Sequence, residues 1–326
     1  MRNHPGSIDD LNDRALAAAL DIARSVGIDC RYPVVMKDSY NAVIHLRPSP
    51  IVARVATLTS VVRENVGQHV AREIAVANFL AASSAAGGTR RHHGRSGPAT
   101  AAAVAPPTST IPPGPYESDG MWLSLWDYIA HTPHRRPADV EVAPRLAELH
   151  ELLRGYDGPG VPLEAAFDDL DRLVSFLSAT GVTLGVDVGL LESELVRART
   201  GLAAGGYDYS QALHGDAHAG NMLVTPNGVV WVDFEETCIG PVEWDLACLS
   251  YRNSEPNQLI ERYWRECDTE VAGRPGVDSE GLRSLIRARW VEAVAWTSCL
   301  AIHRPDRRNQ AEAFVREWLD WLRRGG

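Results

Sequence analysis

The sequence lacks the features that mark secreted, membrane-spanning or nucleic-acid-binding proteins. Its five cysteines are scattered and odd in number, without a Cys-x-x-Cys pair, which argues against a disulfide framework. No apolar run approaches the length of a membrane span, and the N-terminus has no signal-peptide core. The formal net charge of −10 disfavours a nucleic acid or an anionic membrane as partner and is compatible with a cationic small substrate. We therefore expect a cytoplasmic protein with reduced thiols.

The most informative stretch of the chain covers residues 213–249, where acidic and amide side chains surround a hairpin signal. Two apolar runs flank the turn residues 225–228. A turn centred near Asn227 predicts that Asn221 lies directly opposite Asp233 on the antiparallel pair. One carboxamide oxygen and one carboxylate would then converge on a point. Such hard oxygen ligands suit Mg²⁺, which completes its shell with water and substrate phosphates.

Asp216 lies in a glycine-rich loop, five positions before Asn221. An acid beside a metal, but not needed as its ligand, is well placed to accept a proton from an incoming hydroxyl. In phosphoryl transfer one Asp orients the nucleophile, while an Asn and another Asp hold the metal ions. Zinc binding by His214 and His218 is an alternative, but the glycines disfavour the helix that a His-x-x-x-His site needs. Each residue alone is also compatible with a plain surface hairpin or turn.

The order of these residues resembles the aminoglycoside phosphotransferase family, a branch of the protein-kinase-like fold. The motifs that carry the resemblance are, in order, His214-Gly215-Asp216 with Asn221, Asp233-Phe234-Glu235, Gly240-Pro241 and Asp245-Leu246-Ala247. The resemblance implies an α+β fold of two lobes. Residues 1–125 would form a small, mostly antiparallel nucleotide-binding lobe, and residues 126–326 a larger helical lobe with the catalytic loop and substrate cleft.

The resemblance also assigns roles to individual residues. Asp216 is expected to be the catalytic base, Asn221 and Asp233 the magnesium ligands, and His214 and Asp245 supports of the catalytic loop. An Asp-Phe-Glu triplet in place of Asp-Phe-Gly also resembles choline kinases. The loop therefore leaves the substrate open between amino sugars and amino alcohols.

The nucleotide phosphates need a cation, which this family takes from the later strand of an N-terminal antiparallel pair. Apolar runs at residues 41–46 and 51–56 predict that pair, and Arg54 stands where the family has lysine. Glu73, on a helix predicted over about residues 68–82, would hold Arg54. Arginine is longer than lysine and planar, so weak ATP affinity or lost activity are alternatives. An ordinary surface ion pair between Arg54 and Glu73 is a further alternative.

Three further segments receive assignments from composition and position. No Gly-x-Gly-x-x-Gly or Walker-type loop occurs, and residues 37–41 stand where the family covers the phosphates, with Lys37 as a solvated loop charge. Residues 83–120, rich in small residues and proline and with a basic patch at 90–95, are predicted to be a partly flexible insertion. Residues 121–129 predict a buried strand that leads into the hinge between the lobes.

Helical periodicity dominates the rest of the chain. Helices are predicted over residues 7–26, from Glu141 to Gly155, around residues 167–177 with a stop at Gly181, over about 187–204, and from Pro241 onward. The C-terminal part is rich in tryptophan, for which core packing is favoured over contacts with a sugar or an ammonium ion.

Together these features predict a phosphotransferase that uses ATP and Mg²⁺ to phosphorylate a hydroxyl of a small, cationic or amino-sugar acceptor. A choline or amino-alcohol kinase is the first alternative. The second is a kinase-like protein that binds a nucleotide or ligand without turnover, which the Arg54 exchange favours and the Asp216, Asn221 and Asp233 set disfavours. ATP or GTP, and monomer or homodimer, stay open at this point.

Overall fold

The structure of the protein is a computed structural model that describes residues 8–86, 103–181, 184–204, 211–267 and 280–326. Its strands are β1 (Cys30–Asp38), β2 (Asn41–Pro48), β3 (Ile51–Ala56), β4 (Tyr116–Ser118), β5 (Met121–Asp127), β6 (Gln211–Ala212), β7 (Met222–Thr225), β8 (Gly228–Trp231) and β9 (Ile239–Gly240). Its helices are α1 (Ile8–Ser25), α2 (Leu58–Val62), α3 (Val66–Ala86), α4 (Asp139–Leu153), α5 (Leu163–Thr180), α6 (Val188–Ala204), α7 (Val242–Ser250), α8 (Pro256–Glu266), α9 (Glu280–His303) and α10 (Arg308–Arg323).

An antiparallel sheet with the strand order β1-β2-β3-β5-β4 forms the smaller lobe. The predicted pairing of β2 with β3 and the predicted strand β5 are both confirmed. Strand β1 was not predicted. It is an edge strand that contains Pro33 and exposes Tyr32 and Val35, so its residues show no alternation between buried and exposed positions.

Both faces of the sheet are covered by helices. On one face Ala15 and Ala19 of α1 pack in a buried cluster with Ile44 and Leu123 of the sheet. On the other face α3 packs against the sheet through a second cluster, which includes Ile74. Helices on both faces hold the sheet in place. The sheet in turn fixes the position of the side chains that point toward the larger lobe.

The larger lobe is helical and contains the main hydrophobic core, around α9. Helix α4 begins at Asp139, two residues earlier than predicted, and the N–H of Ala138 donates to Glu141 at 2.9 Å. Helix α5 ends as predicted at Gly181, which has φ +63°. Trp290 and Trp318 are fully buried, as core packing requires. In the part of the chain that the structure describes, no helix is both long and apolar enough to span a bilayer.

Part of the predicted insertion is ordered structure. Helix α3 continues into it as far as Ala86, and strand β4 adds an edge to the sheet. The N–H of Ala105 donates to the carbonyl of Trp231 at 2.9 Å, which ties the segment to the β7–β8 hairpin. The basic patch at residues 90–95 lies outside the described residues.

Candidate active site

The β7–β8 hairpin carries the residues predicted to bind metal, in a register that differs from the prediction. Thr225 pairs with Gly228, so the turn has two central residues and Asn221 lies opposite Val232. The expectation that Asn221 lies opposite Asp233 is wrong by one residue, because a two-residue turn has its centre between residues and not on one. Asp233 follows the hairpin with φ +72°, a left-handed conformation that strand alternation does not govern.

Asp216 and Asn221 are brought together by the catalytic loop. The side-chain amide of Asn221 donates to Oδ2 of Asp216 and to its carbonyl oxygen, both at 2.9 Å. Nε2 of His218 lies 3.4 Å from the same Oδ2. The other carboxylate oxygen, Oδ1, forms an ion pair with Arg289 of α9. Both oxygens of Asp216 therefore have a partner, and the side chain is 21% exposed at the cleft.

Asp245, in the first turn of α7, binds the backbone of the catalytic loop through its carboxylate. Its two oxygens accept the backbone N–H groups of His214 and Gly215, each at 2.8 Å. Oδ2 also receives a hydrogen bond from His150 at 2.8 Å, and the other ring nitrogen of His150 accepts from Tyr263 at 2.7 Å. Asp245 is fully buried, so this network fixes the loop on the helical core.

His214 is also buried, and both of its ring nitrogens contact the backbone. Nδ1 accepts the N–H of Asp216 at 3.3 Å, and Nε2 lies 3.2 Å from the carbonyl of Val232. Burial lowers the pKa of His214, which fits a neutral ring that donates through Nε2. The ring joins the catalytic loop to the hairpin and has no free nitrogen for zinc.

Gly215 is required by a close approach of two backbones. It has φ +87°, and a Cβ at this position would lie 1.9 Å from the carbonyl oxygen of Glu236. No side chain fits there without a movement of the backbone. The glycine therefore lets the catalytic loop lie against the segment that follows Asp233.

Arg54 of β3 connects the sheet to the segment that follows the β7–β8 hairpin. It contacts Glu73 of α3 at 2.9 Å and Glu235 at 3.0 Å, and it also pairs with Asp233. Glu73 is 1% exposed and Arg54 12% exposed, so this is not the surface ion pair that was an alternative. Lys37 lies at the exposed end of β1, in a strand and not in a loop as predicted.

A second arginine, Arg63, extends the chain of ion pairs beyond Glu235. Arg63 pairs with Glu236, lies 3.7 Å from Glu235, and stacks over Trp296 of α9 at 5.4 Å. Asn41, at the start of β2, donates its amide to both oxygens of Glu235 at 3.1 and 3.2 Å. The Asp-Phe-Glu segment of the larger lobe is thus bound by three residues of the smaller lobe.

The charges of the two aspartates are set by their neighbours. Burial disfavours ionisation of Asp216, but Arg289 and then His218 outweigh it and hold its pKa well below the usual range. For Asp233 burial is again outweighed, by Arg54 and then Lys37, and its pKa is lowered. Both carboxylates are therefore ionised at neutral pH. Burial raises the pKa of Glu73 to about 8, against the effect of Arg54.

The residues expected to hold Mg²⁺ fit that ion chemically. Asn221 uses its amide nitrogen on Asp216, which leaves a carboxamide oxygen as ligand, and the pair with Arg54 uses only Oδ1 of Asp233. Within the described ranges no group of three or more His, Cys, Asp and Glu is placed to hold a metal. A site with two protein ligands suits Mg²⁺, which keeps water and binds substrate phosphates.

Sequence reasoning missed Arg289, Arg63, Asn41 and His150. Only Arg289 carries a signal in the sequence, because it follows Leu282 and Leu285 at helical spacing on the buried face of α9. A charged residue at a core position needs a partner, and here that partner is Asp216. The other three form contacts across the fold that spacing does not reveal.

Comparison with protein families gives one match. The model of the phosphotransferase enzyme family matches residues 68–278, which is more than half of the chain. The matched range includes the catalytic loop and the hairpin but not Arg54. No curated protein sequence matches the chain.

Solved structures of low sequence identity share the fold. A microcompartment-associated aminopropanol kinase aligns with a TM-score of 0.60 and 13% identity, over 91% of this chain and 94% of that one. A choline/ethanolamine kinase family protein from Mesorhizobium loti aligns with a TM-score of 0.53 and 17% identity, over 94% of both chains. A spectinomycin phosphotransferase with bound AMP aligns with a TM-score of 0.54 and 13% identity, over 93% and 95%. The fold is therefore the two-lobed, protein-kinase-like one.

Proposed function

The chain belongs to the phosphotransferase enzyme family, and from this we propose that it transfers the γ-phosphate of ATP to a hydroxyl group of a small molecule. The observation that carries the proposal is the pairing of Asp216 with Asn221 at 2.9 Å, on a loop that Asp245 holds rigidly. An ionised carboxylate that is still partly exposed can orient a hydroxyl and receive its proton.

In this proposal Asn221 and Asp233 hold Mg²⁺, which would neutralise charge on the transferred phosphoryl group. Arg54, held by Glu73, binds nucleotide phosphates through its guanidinium group. Arg54 already pairs with Asp233 and Glu235, so the phosphates must compete with these carboxylates. We propose the smaller lobe, residues 1–125, as the nucleotide lobe, and residues 126–326 as the lobe that holds the acceptor.

The acceptor that we propose is a small hydroxy compound with an amino group, either an amino sugar or an amino alcohol. The formal net charge of −10 is compatible with a cationic group on the acceptor. The names of the aminopropanol, choline/ethanolamine and spectinomycin enzymes supply suitable test acceptors.

The test is phosphorylation of a mixed panel of aminoglycosides, amino sugars and amino alcohols with ATP or GTP and Mg²⁺, followed by mass spectrometry of the products. We expect a product heavier by one phosphate group, and at least a hundredfold slower formation by Asp216→Asn because the general base is lost. Glu317→Gln is the matched control, since it removes an exposed carboxylate that pairs with Arg252.

Nucleotide binding is measured in parallel by thermal shift. Binding of Mg-ATP without transfer to any acceptor, hydroxy amino acids included, would contradict the enzymatic proposal and favour a protein that holds a nucleotide or ligand. Equal rates for Asp216→Asn and the wild type would remove Asp216 from the mechanism.

A further inference from the structure

Arg289 forms an ion pair with the proposed catalytic base, Asp216, and none of the motifs in the sequence assigns it a role. It lies on α9 with its side chain only 9% exposed, and its guanidinium group lies 5.5 Å above the ring of Tyr251. One terminal nitrogen pairs with Asp216, and the other contacts Glu292 at 2.7 Å. Among the described residues its Nε has no hydrogen-bond partner.

The position of Arg289 restricts how an acceptor reaches Asp216. Oδ2 of Asp216 has two partners, the Asn221 amide at 2.9 Å and Nε2 of His218 at 3.4 Å, so the oxygen with a lone pair left for a hydroxyl is Oδ1, whose partner is Arg289. The acceptor must therefore either displace the guanidinium group or bind beside it. In both cases Arg289 contacts the substrate next to its reacting hydroxyl.

A guanidinium group at this distance has a definite chemical preference. It presents five N–H donors in a plane, and carboxylates match this arrangement with two parallel hydrogen bonds. Glu292, one helical turn further along α9, contacts the other terminal nitrogen of Arg289 at 2.7 Å, and this contact does not depend on the pair with Asp216. An acceptor carboxylate would replace Asp216 in the ion pair and leave Oδ1 to the hydroxyl. An ammonium group alone would be repelled by Arg289 at this position.

We propose that Arg289 selects acceptors that carry a carboxylate close to the phosphorylated hydroxyl. The inference rests on the proposed phosphotransfer and narrows its acceptor to hydroxy amino acids and related hydroxy acids that also bear an amine. A monoanionic carboxylate fits better than a phosphate, because Glu292 contacts the same guanidinium group at 2.7 Å and a dianion would be repelled more strongly.

The test compares acceptors that differ by one carboxylate. The pairs are ethanolamine and serine, 3-aminopropanol and homoserine, and β-methylcholine and carnitine. With saturating Mg-ATP, in whichever pair reacts fastest, we expect the member with the carboxylate to have a kcat/KM at least tenfold higher than the member without it. The reason is that an ion pair at a partly buried site discriminates by 10-fold or more. Arg289→Gln should lose this preference, and Arg289→Lys should keep part of it.

A purely structural role would give another result: Arg289→Gln would lower kcat for both members of a pair by the same factor and leave their ratio unchanged. Arg287→Gln is the matched control, because Arg287 lies on the same helix and pairs with Glu194, away from the catalytic loop. Thermal unfolding of each variant shows whether it folds. Arg287→Gln should leave the ratio of kcat/KM between the two members of a pair unchanged.

Binding separates failure of this inference from failure of the phosphotransferase proposal. Calorimetry with a non-hydrolysable ATP analogue measures affinity for each acceptor without turnover. If the nucleotide binds and carboxylate members bind no better than their partners, or not at all, the role of Arg289 is refuted while phosphotransfer stands. If no nucleotide binds and no acceptor reacts, the proposed function itself fails.

Discussion

Arg54 lies among three carboxylates, and one of them, that of Glu73, is almost fully buried. Removal of a buried cation leaves the carboxylates without compensation, which is costlier than the net contribution of the ion pair. We therefore expect the Arg54–Glu73 pair to matter for stability, in addition to the nucleotide binding proposed for Arg54.

Arg54→Met should lower the free energy of unfolding by about 3–5 kcal/mol, because Glu73 and Asp233 lose their counter-ion. Glu73→Gln should cost less, since burial already raises the pKa of Glu73 to about 8. The loss of unfolding free energy in the double variant should then be smaller than the sum of the two single losses, by about 1–3 kcal/mol. Urea denaturation of the four proteins measures the coupling, and strict additivity would contradict it.

His69 should make stability depend on pH. Burial, with Arg63 and Arg72, lowers the pKa of His69 to about 3, and its Nδ1 accepts a hydrogen bond from Arg72 at 2.9 Å. Between pH 3 and 6.5 the unfolded chain binds the proton and the folded protein does not, so stability falls as the pH falls below 6.5.

Between pH 6.5 and 5 this histidine should cost the wild type about 2 kcal/mol. The glutamine of His69→Gln can still accept a hydrogen bond from Arg72 but does not titrate. The free energy of unfolding of this variant should therefore fall by about 2 kcal/mol less than that of the wild type over the same pH range. Urea denaturation at several pH values measures the difference. Parallel profiles for the two proteins would mean that His69 is protonated in the folded state.

At the scale of secondary-structure elements, α7 positions the catalytic loop through one carboxylate. Asp245 accepts two backbone N–H groups and one histidine hydrogen bond. An asparagine has the same shape but offers only one acceptor oxygen, so at least one of these donors would lose its partner.

Asp245→Asn should therefore lower the free energy of unfolding by roughly 3 kcal/mol and reduce kcat more than it changes KM for the nucleotide. Asp168→Asn is the matched control, because Asp168 pairs with Arg199 at 3.3 Å and is 62% exposed. We expect it to change stability by less than about 0.5 kcal/mol. Equal effects of the two substitutions on unfolding and on kcat would contradict the role of Asp245.

At the scale of the whole molecule, the two lobes meet at the tip of the β1–β2 turn. Asp38 pairs with Arg304, just beyond α9, at 2.8 Å, and Tyr40 packs edge-on against Trp296 with ring centroids 5.6 Å apart. These contacts join the turn to the larger lobe, and the role of the turn in covering the phosphates stays a prediction.

Arg304→Gln should free this turn while it changes overall stability by less than about 1 kcal/mol, because Asp38 is partly exposed. Amide hydrogen exchange at residues 39–41 should accelerate, and nucleotide should dissociate faster. Arg307→Gln, a change of a neighbouring exposed arginine, serves as control. Unchanged exchange in Arg304→Gln would show that Tyr40 and Trp296 suffice to hold the turn.

Much of this architecture could be predicted from the sequence, and what was missed has physical reasons. Long periodic helices and the β2–β3 pair follow from local patterns, whereas the edge strand β1 has no buried face to create a pattern. The hairpin was recognised, but its register depends on a one-residue difference in the turn. The contact of Arg289 with Asp216 joins residues 73 positions apart, and spacing does not show which cation meets which carboxylate.

The ion pair between Arg54 and Asp233 also makes the two cofactors dependent on each other. ATP that draws Arg54 to its phosphates leaves Asp233 without a counter-ion, which favours a divalent cation there; a cation on Asp233 in turn releases Arg54. Such linkage is reciprocal, so Mg²⁺ and ATP should bind with positive cooperativity, on the order of 5- to 150-fold.

Calorimetric titrations of each cofactor with and without the other, corrected for Mg-ATP formed in solution, measure this coupling. Arg54→Met should abolish most of it. Without both cofactors, the protein holds its proposed metal-binding carboxylate, Asp233, and its proposed phosphate-binding cation, Arg54, together, so that neither cofactor alone opens the site efficiently.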